Sequence, residues 1–447
     1  MQRFIVRSRV LAVVLILGAT IETGIHIAEA APLSSSDFDG DGDVDLTDFG
    51  GFQACFNGPN RSPTIFCAVD ADLDNDNDVD LTDFAVFAAC FNGPNRMPAC
   101  PADLLPGMVL IPGGEFLMGN SFTGEGEPRE LPRHAVCVDA FYMDVTEVTN
   151  QQYADALNWA LAQGNQITVT DGVVYKFNSG TSYPYISTTS APPGDPNYGE
   201  YARITWNAGT FDVVSTSKKN HPVVAVSWYG AVAYANWRSG MEGRPLGYDL
   251  STWECDFDAS GYRLPTEAEW ERAARGGVAG HRFPWADSDY IQHARANYFS
   301  SATYWYDTSP TRDHHPLWGV GNPPYTSPVG FFTGELRQKV HFDWPGTETS
   351  YQTLNDANDY GLRDMGGNVW EWCNDWYSET YYQWCEDNCE TPCRNPRGPE
   401  APQSQRVVRG GGWNDGTDWS RPAARYYDPP QQRHHNMHGL RVVLGFP

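Results

Sequence analysis

Three stretches of the chain carry apolar residues at helical spacing, and each begins at a residue suited to cap a helix. The caps are Thr149, Ser227 and Thr266, whose hydroxyl oxygens can accept a hydrogen bond from a backbone N–H of the first turn. Apolar, β-branched residues run before the first two caps, as is typical of strands. The pattern therefore predicts two strand-to-helix units, within Val138 to Leu157 and His221 to Ser239, and a third helix.

The third helix has the most specific signature. Glu269 lies three residues after Thr266 and completes a capping box, in which each side chain bonds the other residue's backbone N–H. One face of this helix is apolar and is predicted to be a buried stripe. The stripe consists of Trp270, Ala273 and Ala274.

Strand signals are short and are separated by long loops rich in Gly, Pro, Asn and aromatic residues. The segment GMVLIPGGEFLMGN, from Gly107 to Asn120, has apolar runs on both sides of a Gly-Gly pair, which predicts a hairpin. Regular secondary structure is thus expected to be sparse for a domain of this size.

The first thirty residues have the pattern of a secretory signal. Arg3, Arg7 and Arg9 form a basic head, an apolar stretch follows, and Ala-Glu-Ala at 28–30 is a small-x-small cleavage site. A retained membrane anchor is the alternative, although the stretch is short against the ~20 residues that a span needs. We predict a signal peptide at residues 1–30, and a mature protein that is secreted, periplasmic or on the cell surface, without a membrane span.

Charge limits the partners of the chain. It has 56 acidic and 30 basic residues, a formal net charge of −26. Nucleic-acid binding is not expected, because a phosphate backbone is held mainly by Lys and Arg. Thirteen of the acidic residues lie in two short runs, Asp37 to Asp48 and Asp70 to Asp83.

These runs belong to an internal repeat with an offset of 35 residues, DFDGDGDVDLTDF from Asp37 and DLDNDNDVDLTDF from Asp72. Carboxylates occupy loop positions 1, 3, 5, 7, 9 and 12, and oxygen ligands at this spacing favour calcium. Position 6, where the loop turns, holds Gly42 and Asn77, which tolerate positive φ. The predicted calcium ligands are Asp37, Asp39, Asp41, Asp43 and Asp48 in the first loop, and Asp72, Asp74, Asp76, Asp78 and Asp83 in the second.

Phenylalanines at i, i+3 and i+7 follow each loop and predict a short helix with one apolar face. The region resembles the duplicated dockerin type of EF-hand module over residues 37 to about 95, and Asp at position 12 fits that type. An acidic disordered spacer is the alternative. We predict a small α-helical calcium module at residues 37–100 that docks the protein to a partner.

Ten cysteines in a chain with an export signal favour disulfides. In the N-terminal module we expect Cys55–Cys67 and Cys90–Cys100, each closing a small loop, with a zinc site as the alternative. The sequence leaves the pairing of the other six open, with Cys373 as a candidate partner for the three that follow it. These six are Cys137, Cys255, Cys373, Cys385, Cys389 and Cys393.

Five blocks in order make residues 107–447 resemble the formylglycine-generating enzyme, or sulfatase-modifying factor, family. Besides the segments above, they include YGLRDMGGNVWEWCNDWY from Tyr360 and RVVRGGGWNDGTDWSRPAARYY from Arg406. The resemblance implies an α+β fold related to C-type lectins, with sparse regular secondary structure. It also implies an activity, the oxidation of a sulfatase cysteine to formylglycine.

The same resemblance implies one calcium site in the first of these two blocks. Its ligands would be the carboxylates of Asp364 and Glu371 and the backbone oxygens of Gly367 and Val369, a donor set that suits a hard cation. A buried salt bridge of Glu371 is the alternative interpretation.

Neither copper nor the oxidase activity of the family is expected in this chain, because the cysteine pair that binds the metal is missing. Copper-dependent members of the family bind the metal through two cysteines just after a Gly-Gly-Ser that matches residues 410–412. Asp415 and Ser420 stand in their place here, and copper(I) selects soft thiolates over a carboxylate or a hydroxyl. A working oxidoreductase is the alternative, if a folded loop brought two of the inserted cysteines, Cys385, Cys389 and Cys393, to the pocket.

The C-terminal segment favours ligand binding. It mixes aromatic and adaptable polar side chains, and rigid rings supply contact area at low entropic cost. We predict that it binds a protein or glycan; a loop package for the core and a purely structural cell-surface protein are the alternatives. The three histidines His434, His435 and His438 lie either in an exposed loop or in a metal site. The candidate residues are Trp413, Asn414, Asp415, Trp419, Tyr426, Tyr427, Arg433, His434, His435 and Asn436.

Overall fold

A computed structural model describes residues 107–191, 201–207, 209–433 and 437–445. The predicted signal peptide, both calcium loops, the disulfides Cys55–Cys67 and Cys90–Cys100, and the segment 434–436 lie outside these residues. None of the described helices is long and apolar enough to cross a membrane.

The described residues form few helices and many short strands, which is the mixed α+β architecture expected. The helices are α1 (Asn150–Gln163), α2 (Trp228–Met241), α3 (Glu267–Ala274), α4 (Lys339–Phe342) and α5 (Tyr381–Asn388), with short 3-10 helices at Pro128–Glu130, Thr216–Lys218 and Thr417–Ser420. The strands are β1 (Met108–Ile111), β2 (Gly114–Met118), β3 (His134–Val138), β4 (Phe141–Asp144), β5 (Ile167–Thr170), β6 (Val173–Lys176), β7 (Pro184–Ser187), β8 (Ile204–Asn207), β9 (Thr210–Val213), β10 (Tyr248–Asp249), β11 (Glu254–Cys255), β12 (Tyr262–Arg263), β13 (Leu336–Gln338), β14 (Ser350–Gln352), β15 (Trp370–Trp376), β16 (Cys393–Arg394), β17 (Arg406–Arg409), β18 (Arg425–Asp428), β19 (His438–Gly439) and β20 (Val443–Gly445).

The three predicted helix caps are confirmed. Thr149 and Thr266 form reciprocal capping boxes with Gln152 and Glu269, and the Ser227 hydroxyl accepts a hydrogen bond from the first turn of α2. The predicted stripe of α3 is completely buried. It packs in one apolar cluster with residues of β1, β3 and β17.

The predicted hairpin at Gly107 to Asn120 was wrong. β1 pairs with β4, whereas β2 pairs with β3, so the two strands belong to different sheets. Gly113 lies so close to the β3–β4 connection that a Cβ atom there would stand 2.8 Å from the backbone nitrogen of Ala140. The glycine pair therefore permits a close approach of two chain segments, a reason for glycine that a hairpin signal does not distinguish.

The predicted strand before Ser227 was also wrong, since the segment forms only isolated bridges, Thr149 to Pro222 and Ile186 to Val226. Two local features interrupt the extended backbone. Pro222 has no N–H to donate, and Ala225 has a φ of 58°, outside the β region.

β15 is the strand that positions the C-terminal site. It lies inside a four-stranded sheet of order β18-β17-β15-β19, antiparallel to β17 and parallel to β19. Two indole hydrogen bonds tie it to the start of α2: Trp372 Nε1 donates to Val226 O over 3.1 Å, and Trp228 Nε1 donates to Cys373 O over 2.9 Å.

Candidate functional site

The two carboxylates of the predicted calcium site are both buried but have different surroundings. Glu371, on β15, accepts hydrogen bonds from Arg441 Nε and Nη2 at 2.7 and 2.8 Å and from Trp270 Nε1 at 2.7 Å. The salt bridge considered as the alternative for Glu371 is therefore present. Its Oε1 accepts a single one of these bonds, which leaves a lone pair available on that oxygen.

Asp364 lies at a left-handed turn, with φ of 57°, before β15. Its Oδ2 accepts a 2.6 Å hydrogen bond from Gly330 N, and its own N–H donates to Asp356 Oδ2. Asp356 is neutralised by Arg363, which donates to Oδ1 over 2.8 Å. Burial, together with the nearby Asp364 carboxylate, raises the pKa of Asp356 to about 7.

A third buried carboxylate, Glu147, was not among the predicted site residues. This residue is 1% exposed, and neither of its carboxylate oxygens receives a hydrogen bond from the described residues. It lies beside Asp364, and burial together with the Asp364 carboxylate holds the pKa of Glu147 well above its usual value. A buried carboxylate next to another needs a proton or a cation, because the interior cannot solvate two like charges.

A small cavity lies beside Asp364, and its lining includes Asp356, Gly367, Asn297 and the basic residue Arg295. The Oδ1 of Asn297 is buried without a donor, so it offers another oxygen. Val369 and Glu371 do not line this cavity. Of the four predicted ligands, Asp364 and Gly367 therefore line the cavity, together with Asn297. Glu147 does not line it and is placed only by its proximity to Asp364. The oxygen atoms of Asp364, Asn297 and Glu147 are donors that suit a hard cation.

Three of the predicted ligand-face residues group around Arg129, which was not predicted from the sequence. The Arg129 guanidinium lies 5.6 Å from the Trp419 ring, 5.5 Å from Tyr426 and 5.5 Å from Tyr427. The rings of Tyr426 and Tyr427 are stacked, with centroids 5.1 Å apart, and Tyr377 packs on Tyr427 at 4.1 Å. We call the half-buried group of Arg129, Tyr377, Trp419, Tyr426 and Tyr427 the aromatic box.

Buried ion pairs fix the backbone on both sides of Arg129. Glu130, the next residue, receives two 2.8 Å hydrogen bonds from Arg421, and both side chains are buried. Arg425 donates to Arg129 O over 2.9 Å and forms a two-pronged pair with Glu267 on α3. Arg129 is thus held beneath the rings by its own main chain, although its side chain is partly exposed.

A second group lies around Trp413. The ring of His314 is 5.5 Å from Trp413, Tyr325 packs on Trp413 at 4.9 Å, and His314 Nε2 is 2.8 Å from Asn414 Oδ1. Trp413 itself is buried, whereas Asn414 is exposed. This group presents an amide and an imidazole to solvent over an aromatic base.

Asp415 connects the two groups. Its Oδ2 accepts hydrogen bonds from Trp370 Nε1 at 2.7 Å and from Gly412 N at 3.1 Å, and Trp370 packs edge-on against Trp419. Burial raises the pKa of Asp415 to about 6.

Two further candidates lie elsewhere. Arg433 is buried, with its guanidinium 5.9 Å from the ring of Tyr175, and is not a member of the aromatic box. The expectation that His438 lies in an exposed loop was wrong, because His438 is 2% exposed on β19, where its ring packs on Trp372. Its Nε2 lies 3.2 Å from Asp428. Strand pairing with β15 draws this residue into the core.

The six C-terminal cysteines form one disulfide, Cys389–Cys393. Cys137, Cys255, Cys373 and Cys385 are free thiols, so Cys373 is not the disulfide partner that the sequence suggested. The inserted cysteines cluster with one another on α5 and β16 rather than around Asp415.

A copper(I) centre does not fit the residues at the glycine-rich turn. The carboxylate of Asp415 is engaged by an indole and a backbone N–H, and Ser420 is buried at the end of a 3-10 helix. Neither side chain is the soft thiolate donor that copper(I) selects.

The chain is similar to a known protein family over most of its length. The profile of the sulfatase-modifying factor enzyme 1-like domain matches residues 95–445. The formylglycine-generating enzyme of Streptomyces coelicolor is 33% identical over 321 residues, which cover 69% of this chain and 78% of that protein. That of Thermomonospora curvata is 32% identical over 324 residues, covering 70% and 84%.

The matching segment also occurs in a longer protein. Serine/threonine-protein kinase pkn1 of Chlamydia pneumoniae is 30% identical over 337 residues, 74% of this chain but 36% of that protein. Among solved structures, CarF has a TM-score of 0.45 at 21% identity, covering 76% of this chain and 98% of that one. PvdO from Pseudomonas aeruginosa has a TM-score of 0.44 at 22% identity, covering 76% and 94%.

Proposed function

Because the chain belongs to the sulfatase-modifying factor enzyme 1-like family, the family of the formylglycine-generating enzymes, we propose that it is a binding member of that family without oxidase activity. The observation that carries the proposal is that the Asp415 carboxylate is used as a hydrogen-bond acceptor. By the resemblance, Asp415 stands in the place of one of the two cysteines that copper-dependent members use, and its carboxylate accepts hydrogen bonds from Trp370 and Gly412. Asp415 would thus hold the aromatic box and the Trp413 group in place for ligand binding and would not bind a metal.

The aromatic box and the Trp413 group supply the binding face. Rings that are half-exposed and held by buried ion pairs lose little conformational entropy when a ligand covers them. A guanidinium among them adds a directional donor and a cation–π contact. This combination suits a glycan, whose apolar ring faces pack on aromatic residues while its hydroxyls bond Arg and Asn, or an extended protein segment.

We also propose that Glu147, Asp364, Asn297 and Gly367, here called the acidic centre, hold calcium. Asp364, Glu147, Asn297 Oδ1 and Gly367 O would contribute oxygen ligands, with Val369 O and the free lone pair of Glu371 as the further donors that the family pattern implies. The cation would neutralise the Glu147 and Asp364 carboxylates and so fix the turn that leads into β15. The duplicated N-terminal loops would bind calcium as well and dock the exported protein to a partner.

The activity is tested by a gain-of-function pair. Wild-type protein and the variant Asp415→Cys/Ser420→Cys are loaded with copper(I) and supplied with oxygen and a Cys-x-Pro-x-Arg peptide. We expect no formylglycine from the wild type, and one more equivalent of bound copper(I) in the double cysteine variant than in the wild type. Conversion of the peptide by the wild type would defeat the proposal and make the chain an oxidoreductase.

The binding face is tested on panels of soluble oligosaccharides and extended peptides. We expect a hit from one panel that is weakened in Arg129→Met and in Tyr427→Ala. Tyr290→Ala is the matched control, since this tyrosine is also exposed but packs on Trp305 instead of the box. A ligand bound equally by all three variants does not use this face, and the proposed role of the aromatic box then fails.

A further inference from the structure

Three cysteine sulfurs converge outside the binding face. The Sγ atoms of Cys385, Cys389 and Cys393 all lie within 4.8 Å of one another. Cys385 and Cys393 are buried, and Cys389 is half-buried. No described His, Asp, Glu or further Cys belongs to the same group.

The backbone explains why the three meet. Cys389 caps the C-terminus of α5, and its N–H donates to Cys385 O over 3.1 Å, so the two side chains lie one helical turn apart. Cys393 follows on β16, which pairs in parallel with β3 through Cys393 and Val136. The strand fixes the third sulfur against the end of the helix.

One disulfide accounts for two of these sulfurs. It joins Cys389 and Cys393 and leaves the Cys385 thiol buried against it, in contact with the Tyr381 side chain. Burial raises the pKa of Cys385 to about 11, so this thiol is a poor nucleophile at neutral pH.

Reduced, the cluster would have the geometry of a metal site. Metal–sulfur bonds of about 2.3 Å place the sulfurs of a trigonal or tetrahedral centre roughly 4 Å apart. The Cys385 sulfur lies within 4.8 Å of the other two sulfurs, so a small movement of the side chains would give this spacing. Three thiolates also make a set that hard cations such as calcium do not choose.

The charges around the cluster favour a cation. Glu386, Asp387 and Glu390 flank the cysteines in sequence, and the Glu267 carboxylate faces Cys385, opposed by Arg425. The last carbonyls of α5 add the negative end of a helix. Cys389, the half-buried member, provides the entry path from solvent.

We propose that the reduced Cys385, Cys389 and Cys393 form a thiolate site for a soft closed-shell cation, zinc or copper(I). A dithiol reductant first transfers two electrons to the Cys389–Cys393 disulfide, giving two thiols and an oxidised dithiol. Binding then releases three protons as three sulfur–metal bonds form. Solvent supplies any fourth ligand on the exposed side.

The test measures metal binding by the full chain after reduction and removal of the reductant. Zinc and copper(I) are each titrated against a chromophoric chelator, and the two arms decide which cation is preferred. We expect Cys385→Ser to bind one equivalent less than wild type. Cys255→Ser is the matched control, a half-buried thiol on β11 outside the cluster, and should bind as wild type does.

A measurement on the wild type guards against misfolding of the variant. Thiols are alkylated with and without metal, and each site is identified by peptide mass spectrometry. We expect the metal to protect Cys385, Cys389 and Cys393 together while leaving the alkylation of Cys255 unchanged. Equal labelling of the three cysteines in both samples, or re-formation of the Cys389–Cys393 disulfide in the presence of metal, would overturn the proposal.

Discussion

The indole N–H of Trp370 donates a hydrogen bond of 2.7 Å to Oδ2 of Asp415. Trp370 begins β15 and Asp415 follows the glycine-rich turn after β17, so this bond joins the two blocks that identify the family. The carboxylate is sequestered from water on one side, and its pKa is raised to about 6 by that burial.

This raised pKa predicts the pH dependence of the Asp415→Asn variant. The folded state holds the proton up to about pH 6 and the unfolded state releases it near the ordinary aspartate value, so ionisation destabilises the fold as pH rises between the two. Relative to wild type, Asp415→Asn should gain about 1 to 2 kcal/mol of unfolding free energy between pH 4 and pH 7. Denaturant unfolding at both pH values measures the gain, and the exposed Asp359→Asn should show none.

The Arg421–Glu130 pair predicts a non-additive double mutant. Both side chains are buried and joined by two hydrogen bonds of 2.8 Å. Arg421→Met leaves a buried carboxylate unpaired and should cost about 3 to 5 kcal/mol of unfolding free energy. Arg421→Met/Glu130→Gln should recover part of that loss, because the stranded charge is gone. If the double mutant is as unstable as the sum of the singles, the two side chains are not coupled.

The proposed calcium site predicts that Glu147→Gln is more stable than wild type without calcium and less stable than wild type with calcium. Without calcium, Glu147→Gln should be more stable than wild type by about 1 to 3 kcal/mol, since it removes an unpaired buried carboxylate. With calcium at about a hundred times its dissociation constant, binding at this site should raise the unfolding free energy of wild type by about 2.7 kcal/mol. The variant should not show this increase. Thermal unfolding with calcium and with chelator gives both values.

The control for this experiment is Glu115→Gln, an exposed carboxylate on β2. Its melting temperature should respond to calcium as that of wild type does, including any response from the N-terminal loops. An identical calcium response in Glu147→Gln would show that the acidic centre holds no calcium.

The capping box of α3 predicts two different costs. Thr266→Ala removes one cap hydrogen bond and should cost about 1 kcal/mol. Glu269→Ala should cost more, because Glu269 bonds Thr266 N and also receives two 2.7 Å hydrogen bonds from Arg263. Chemical denaturation of both variants ranks them. A larger loss in Thr266→Ala would mean that the Arg263 pair contributes nothing to stability.

Sequence alone specified the features that depend on neighbours in the chain. A hydroxyl at the cap and a glutamate three residues later satisfy N–H groups within one turn, so Thr149, Ser227 and Thr266 were recognisable without any tertiary information. The buried stripe of α3 followed from helical spacing for the same reason. The absence of cysteine at Asp415 and Ser420 likewise needed only the order of residues and the chemistry of their side chains.

Tertiary structure decided what depends on partners far along the chain. Local pattern cannot tell whether β1 and β2 pair with each other or with β4 and β3, because the strands that they pair with lie outside the segment that carries the pattern. Arg129 meets Trp419 and Tyr427 across nearly 300 residues, and Glu147 meets Asp364 across more than 200. Such contacts carry no sequence periodicity. The aromatic box and the acidic centre therefore became visible only once packing had fixed which distant charges and rings lie side by side.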